Sequence, residues 1–184
     1  MAHRVCPPWM GYFLLNPLRK LTENPKKILG QFVDEGMVVL EPGCAMGFFT
    51  LPLARMVGPQ GMVVAVDMEP RMLSTLERRA SRAKLAERLE IRLCDAGGLG
   101  IDDLTERVDF CTALHVVHEV PDQKTFFGEI RRSLKPGAKL LVIEPKGHVS
   151  AEDFGRSVAV AEDVGLRQIE SPHIGGDRVA LFER

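Results

Sequence analysis

The sequence predicts an α/β fold: a doubly wound domain with a seven-stranded, mostly parallel sheet and a C-terminal antiparallel hairpin. Three observations support this prediction. From residue 37 onward, strand-like and helix-like segments alternate, as they do in βαβ units. The segments 62–67, 107–114 and 139–143 are nearly unbroken apolar runs, which is typical of parallel strands that helices cover on both faces. The alternation ends where two strand-like segments are separated only by "GGD", which indicates a hairpin.

The N-terminal part of the chain is less regular. Four prolines within the first 25 residues leave room only for short helices. Asn24 before Pro25 is typical of a helix start, because asparagine caps a helix and proline fits its first position. We expect that helix to end by Gly36. The predicted organisation is therefore an N-terminal arm or lid at 1–36 and a binding domain at 37–184.

Within the domain, turn residues separate the predicted elements. Pro52 has to fall in the first turn of its helix, Gly58 closes that helix, and Pro70 lies near the start of a long amphipathic helix. The predicted strands are 37–41, 62–67, 88–95, 107–115 and, after a turn, the segment "KPGAKLLVIEP"; the predicted helices are 47–58, 69–87, 123–134 and 151–164; the hairpin consists of "LRQIESPHI" and "RVALFER".

Length and charge restrict the classes of function. The 184 residues suit one domain, and 45% hydrophobic with 27% charged residues is a globular balance. The net charge of −1 indicates no general attraction to nucleic acid or to an anionic membrane. No apolar stretch reaches the ~20 residues needed to cross a bilayer, and the first 20 residues show no secretory signal pattern.

The four cysteines favour a reducing, cytoplasmic setting. Cys6, Cys44, Cys94 and Cys111 lie far apart and form no C-x-x-C pair, which disfavours a disulfide framework and a ribbon-type zinc site. We expect the last three to fill the core as small hydrophobic residues.

The stretch "MVVLEPGCAMGFFT", residues 37–50, predicts a ligand loop. A strand ends at an acid, Glu41, and a glycine turn opens a helix, at the point where an open parallel sheet binds its ligand. A dinucleotide loop would need G-x-G-x-x-G, whereas here Ala45 stands between Gly43 and Gly47 and the last glycine is missing. A buried carboxylate about 4 Å from a phosphate charge is unfavourable by roughly 4 kcal/mol. A cationic cofactor without phosphate, such as S-adenosylmethionine, fits better.

Several motifs in one order resemble a known family. They are "VVLEPGCAMG", "VVAVDMEP", "LCDAGGL", "ALHVVHEVPD" and "LKPGAKLLVIEP". Together they resemble the class I S-adenosylmethionine-dependent methyltransferases, most of all the small-molecule enzymes of ubiquinone and menaquinone biosynthesis, over roughly residues 25–184, with Ala45 as the one departure in the glycine loop. The resemblance implies a Rossmann-like fold with a reversed seventh strand, and an enzyme that transfers a methyl group from S-adenosylmethionine to a small molecule. The alternatives are a non-catalytic binding partner or sensor, and a methyltransferase for a thiol or metalloid acceptor.

The cofactor residues follow from this resemblance and from their chemistry. Asp67 would accept both ribose hydroxyls, with a helix cap as its alternative role. Asp95 would accept the adenine amino group, or else cap the "AGGLG" loop. Ala45 would be strained if its φ were positive. The full predicted set is Glu41, Gly43, Cys44, Ala45, Gly47, Asp67, Met68, Asp95, Ala96 and Leu114.

Two histidines at the end of the fourth strand are the predicted catalytic residues. Methyl transfer from a sulfonium is an in-line displacement, so a base is needed only when the acceptor has to lose a proton. We expect His118, and secondarily His115, to be that base; the alternative is a loop histidine bonded to backbone. Substrate contacts are predicted from an aromatic lid and one further loop histidine, or else the aromatic segment merely packs on the domain. These residues are Trp9, Tyr12, Phe13 and His148.

A metal site and a nucleic-acid substrate are both disfavoured. His3 and Cys6 could meet the loop histidines around zinc or a thiophilic acceptor, but no feature of the sequence makes them converge, so we predict no metal. The fourth strand lacks the Asn-Pro-Pro-aromatic motif that the family's exocyclic-amine enzymes use, and "HEVPD" stands there instead. No feature of the sequence specifies an oligomeric state.

Overall fold

One seven-stranded sheet organises the computed structural model, which describes residues 23–184. The strands are β1 (Val38–Pro42), β2 (Met62–Asp67), β3 (Leu89–Leu93), β4 (Val108–Leu114), β5 (Leu134–Glu144), β6 (Arg167–Glu170) and β7 (Arg178–Glu183). Their order in the sheet is β3-β2-β1-β4-β5-β7-β6. Only β7 runs against its neighbours, because it pairs antiparallel with both β5 and β6. The predicted fold class is confirmed, and the strand order reverses between β1 and β4.

Helices cover both faces of the sheet. They are α1 (Pro25–Leu29), α2 (Thr50–Met56), α3 (Pro70–Arg82), α4 (Gln123–Ser133) and α5 (Ala151–Asp163). Because side chains alternate along a strand, Val39 packs with α1, α2 and α3 while Leu40 packs with α4 and α5. Each strand in the middle of the sheet is therefore apolar on both faces, which explains the unbroken hydrophobic runs in the sequence.

Helix α1 starts where the sequence predicts and ends earlier. The Asn24 side chain accepts from the backbone N–H of Lys26 and Lys27, and Pro25 is the first helical residue. The expected end at Gly36 is wrong, since the helix stops at Leu29. The C-cap is Gly30, whose helix propensity is low, and beyond it the Phe32 ring stacks on Phe110 of the sheet at 5.5 Å between centroids.

Two loops also differ from the expected lengths. Strand β5 begins at Leu134, directly after α4, and the predicted turn is a register shift inside it: Val108 pairs with Leu134 and Phe110 with Lys139. The hairpin connection runs over residues 171–177 rather than over "GGD" alone. Pro172 lies in that connection and lacks the N–H that a ladder position needs.

Candidate active site

A cavity of about 560 Å³ lies at the carboxyl ends of β1, β2 and β4. This is the place where strand order reverses, and an open α/β sheet binds its ligand there because the loops on either side diverge. The loops after β1, β2, β3, β4 and β5 all contribute to its lining. The predicted ligand loop therefore faces a space large enough for a small-molecule ligand.

The glycine loop is fixed to the end of β2 by its own backbone. The N–H groups of Gly43 and Cys44 donate to the carbonyl oxygen of Val66, at 2.8 and 3.1 Å. Gly43 has a φ of 72°, and a Cβ there would lie 2.6 Å from a methyl carbon of Val116. Only glycine fits at this position. The loops after β1 and β4 can approach each other closely beside the cavity because residue 43 has no side chain.

Ala45 has a positive φ of 45°, the strained case that the sequence analysis identified. Its N–H donates to Oδ2 of Asp67 at 2.8 Å. That hydrogen bond to a carboxylate offsets part of the strain and connects the loop to the second strand. The loop therefore holds Ala45 in a conformation that usually requires glycine.

Asp67 is the last residue of β2, and each of its carboxylate oxygens accepts a hydrogen bond while keeping room for another. Oδ1 accepts from the Glu69 N–H at 2.9 Å, and Oδ2 accepts from Ala45. The helix cap that was its alternative role belongs to Glu69, whose side chain accepts from the Arg71 N–H. Burial raises the pKa of Asp67, while these backbone donors lower it. Each oxygen keeps a further acceptor position, so the side chain can take two ribose hydroxyls at once.

Glu41 is a buried carboxyl at the cavity, with 3% of its surface exposed. Burial raises its pKa to about 8, and the charge of Asp67 contributes in the same direction. The nearby Thr50 hydroxyl lowers that pKa in part, although its geometry falls short of a hydrogen bond. Among the described residues no group bonds to Oε2. A cationic group could bond to this oxygen and pair with the carboxylate, whereas a phosphate could not.

The remaining predicted cofactor residues fall into two groups. Met68, with 43% of its surface exposed, lines the cavity together with Cys44, Ala96 and Leu114. Gly47 does not line it: a Cβ there would lie 2.4 Å from Leu76 Cδ1, so this glycine serves helix packing rather than ligand contact.

Asp95 also lines the cavity, and its alternative role is observed. Oδ1 accepts from the Gly97 N–H at 2.7 Å, which caps the "AGGLG" loop as an Asx turn. The residue is exposed, and its second carboxylate oxygen adds further acceptor positions. The cap and an adenine contact are therefore compatible.

His118 is held by a carboxylate that the sequence analysis did not identify. It lies in a 3₁₀ turn, Val117–Glu119, in the loop after β4. Its Nδ1 makes a short hydrogen bond to Oε2 of Glu144, the last residue of β5. This bond raises the pKa of His118, against the effect of burial. The alternative of a histidine bonded only to backbone is not what the structure shows.

The other predicted catalytic and substrate residues are placed as follows. His115 lines the cavity with a φ of 57°, and its Nε2 lies 3.6 Å from Asp177 Oδ2. His148 also lines it, with its ring centroid 6.3 Å from that of His118. Trp9, Tyr12, Phe13, His3 and Cys6 lie outside the described residues.

The lining is strongly acidic. Within residues 23–184 no lysine or arginine lines the cavity. The acids around it are Glu23, Glu41, Asp67, Glu69, Asp95, Glu119, Asp122 and Glu129. The negative field of these acids favours cationic and neutral ligands over anionic ones.

The sequence did contain a signal for Glu144, the partner of His118 at the end of β5. The motif "LLVIEP" ends an apolar strand with Glu144 just as "VVLEP" ends one with Glu41.

No group of three metal-ligating side chains is found in the described part of the chain, and none of its helices is long and apolar enough to cross a membrane. The cysteine thiols at the cavity are not activated either. Burial raises the pKa of Cys44 well above its usual value and that of Cys94 to about 11, so both are protonated at neutral pH.

Comparison with known proteins identifies the family that the chain is similar to. The family model for a methyltransferase domain matches residues 33–173. The arsenite methyltransferase of Halobacterium salinarum is 33% identical over 65% of this chain, and a demethylmenaquinone methyltransferase of Geobacillus sp. is 30% identical over 61%. The matched part is 29% and 47% of those two proteins, so the chain spans less than half of either.

A solved structure matches over nearly the whole length. It is a SAM-dependent methyltransferase from Aquifex aeolicus, 25% identical, with a TM-score of 0.86 over 97% of this chain and 98% of that one. The two chains therefore share one architecture.

Proposed function

This chain belongs to the methyltransferase-domain family, and from that premise we propose that it transfers a methyl group from S-adenosylmethionine to a small-molecule acceptor in the cavity between the β1 and β4 loops. The observation that carries the proposal is the pair of carboxyls, Glu41 and Asp67, that end neighbouring strands around a cavity without lysine or arginine in the described residues. A cationic nucleoside stabilises the ionised carboxyls there and can displace the proton that burial holds on Glu41, whereas a phosphate stabilises neither charge.

The residues present fit S-adenosylmethionine part by part. The partnerless Oε2 of Glu41 suits its ammonium group, and the free acceptor positions of Asp67 suit its ribose diol. Met68, half exposed at the end of β2, offers an apolar face to the adenine, and Asp95 with Ala96 supplies polar contacts at the ring edge. The class I site residues predicted from the sequence are retained in this proposal, except that Gly47 acts through helix packing.

The chemistry that the cofactor supplies is a methyl group on a sulfonium, which is already activated for transfer. The protein has to align an acceptor and exclude water, and alignment alone accounts for about 7–11 kcal/mol in the best intramolecular reactions. His118 is the proposed base where the acceptor carries a proton, since its ring lines the cavity at the end of β4.

The acidic lining supports a neutral or cationic acceptor of small size. A polyanion such as nucleic acid would be repelled by the carboxylates around the cavity mouth, and no described lysine or arginine there compensates. Of the relatives' acceptors, a quinol-type ring suits the largely apolar floor formed by Phe48, Phe49 and Leu114. A thiophilic metalloid suits it less, because the cavity thiols of Cys44 and Cys94 are protonated.

The test is acceptor-dependent formation of S-adenosylhomocysteine by the purified full chain. Demethylmenaquinone, supplied in its reduced form, and arsenite are the first probes, after the names of the relatives. Turnover with the quinone-derived probe, lowered in Asp67→Asn, is the expected result, and the exposed Glu170→Gln on β6 serves as the matched control. Tight binding of S-adenosylhomocysteine without turnover of any acceptor would instead indicate the non-catalytic binding role, which the family membership does not favour.

A further inference from the structure

Glu144 occupies an unusual position for a carboxylate. It is the last residue of β5, with 1% of its surface exposed. Its Oε1 accepts from the Val117 N–H at 2.9 Å, and its Oε2 bonds to Nδ1 of His118. Both oxygens therefore point to the 3₁₀ turn after β4, and the bonds connect the ends of two neighbouring strands at the cavity.

The bond to Glu144 determines which ring nitrogen of His118 is available. An ionised carboxylate only accepts hydrogen bonds, so Nδ1 has to carry a proton. The neutral ring then has its lone pair on Nε2. The carboxylate of Glu119 lies 4.0 Å from Nε2, beyond hydrogen-bond distance, and the ring lines the cavity. Nε2 is thus the nitrogen that an acceptor can reach.

Anchoring the loop does not by itself explain this carboxylate. One acceptor oxygen is enough for the Val117 N–H, and a neutral glutamine would supply it. Burying a charge is costly unless it is paired, and no lysine or arginine in residues 23–184 forms an ion pair with Glu144. The charge is matched only when His118 becomes an imidazolium, which is the state that follows proton transfer to the ring.

We propose that Glu144 is a positioning residue that holds His118 with its proton on Nδ1, so that Nε2 removes a proton from an acceptor that carries an ionisable O–H or S–H group. This inference deepens the proposed function and rests on it. The O–H or S–H bond breaks and its proton goes to Nε2; the freed lone pair bonds the methyl carbon while the S–C bond to sulfonium breaks, with its electrons left on sulfur. The imidazolium, paired with Glu144, then releases the proton to water.

The charged groups around His118 set the sign of its pH dependence. Glu144 faces the ring from β5, Glu119 from its own turn, and His148 from the loop after β5. The hydrogen bond to Glu144 is the main reason that the pKa of His118 lies above its ordinary 6.5, against burial. Because only the neutral ring accepts a proton, turnover rises as pH passes upward through that pKa. In Glu144→Gln the rising limb moves to lower pH and the plateau falls at least about tenfold.

The decisive experiment is ¹⁵N NMR of the histidine side chains in the full chain, with His118→Asn to assign the signals. At high pH we expect His118 to be protonated on Nδ1. In Glu144→Gln the side-chain amide donates to Nδ1, so the proton moves to Nε2 and the pKa of His118 falls, while the exposed Glu170→Gln changes neither. A wild-type ring protonated on Nε2 would overturn the inference, and that result does not require any variant to fold. An unchanged pKa in folded Glu144→Gln would overturn it too.

A second measurement tests the acceptor class. Catechol and dithiothreitol carry an ionisable O–H and S–H, whereas dimethyl sulfide offers a thioether sulfur with no proton to lose. We expect S-adenosylhomocysteine from at least one of the first two probes and none from the third. Turnover of dimethyl sulfide contradicts the acceptor class, and so does the absence of turnover with both catechol and dithiothreitol. Calorimetry with S-adenosylhomocysteine on the same samples keeps the two proposals apart, because absent binding contradicts the proposed function whatever the state of His118.

Discussion

Replacing Glu41 with glutamine tests the role of the buried carboxyl most sharply. Its pKa is raised from 4.5 to about 8 by burial, so at pH 7 roughly nine-tenths of the free protein holds Glu41 protonated. A cofactor whose ammonium needs the carboxylate has to displace that proton. Binding at pH 7 should therefore release nearly one proton, and affinity should rise from pH 6, where roughly 1% is ionised, to pH 8, where about half is.

The expected magnitude follows from these fractions. The rise in ionised Glu41 between pH 6 and pH 8 is about 50-fold, or roughly 2.3 kcal/mol of binding free energy. Glu41→Gln should remove this pH dependence and weaken binding at pH 8 by about 1.5–3 kcal/mol, the usual contribution of a hydrogen bond to a charged group. The variant and the wild type should therefore bind almost equally at pH 6 and differ at pH 8.

The assay is titration calorimetry with S-adenosylmethionine in two buffers of different ionisation enthalpy. The difference between wild type and Glu41→Gln isolates Glu41 from other groups, such as His118, that titrate in the same window. Glu170→Gln, exposed on β6, should behave as wild type. Wild-type binding without proton release at pH 7, or equal pH dependence in Glu41→Gln, would refute the reasoning.

The unliganded protein offers an independent check on the same carboxyl. Its pKa is higher in the folded than in the unfolded state, so the folded protein binds the extra proton and its stability falls as pH rises from 4.5 through about 8. At about 1.4 kcal/mol per pH unit, ionisation of Glu41 costs the fold about 5 kcal/mol. The stability of Glu41→Gln relative to wild type should grow by that amount across the window in urea unfolding, and a constant difference would contradict the assignment.

Three further predictions concern the loop, the ribose contact and the arm. Asp67→Asn should weaken binding of S-adenosylhomocysteine by about 1.5–3 kcal/mol in calorimetry, because an amide cannot accept from Ala45 and Glu69 and also from a ribose; unchanged affinity would place the ribose elsewhere. Ala45→Gly should stabilise the protein by ~1 kcal/mol and raise Tm by about 2–4 °C by relieving the positive φ, whereas the control Ala83→Gly, at a φ of −83°, should destabilise it; a lower Tm for Ala45→Gly would refute the strain. Deletion of residues 1–20 should lower turnover while leaving S-adenosylhomocysteine binding in place, and unchanged turnover would contradict a lid made of Trp9, Tyr12 and Phe13.

The fold was predictable because its signals are local. Unbroken apolar runs, the Asn24 cap and the glycines after strands each act within a few residues, and the strands they predict lie within a few residues of the observed ones. The early end of α1 had a local signal in its C-cap, Gly30, whereas the stacking of Phe32 on Phe110, a residue far along the chain, had none. Family membership and the cofactor were predicted from motif order and are confirmed by the family match.

The site was predictable in its members more than in its bonds. Glu41, Asp67 and His118 were identified from their positions at strand ends, and the topology brings them to one cavity. The partner of His118 was missed because Glu144 lies 26 residues away in sequence, and only the parallel pairing of β4 with β5 makes them neighbours. The positive φ of Ala45 depends in the same way on a long-range bond, to Asp67.

A crystal structure of the full chain with S-adenosylhomocysteine would show directly which residues hold the cofactor. We expect the ribose hydroxyls within hydrogen-bond distance of Asp67, the ammonium group on Glu41, and the sulfur turned toward the part of the cavity that His118 lines. A ligand bound outside the cavity, or a ribose that contacts neither oxygen of Asp67, would contradict it.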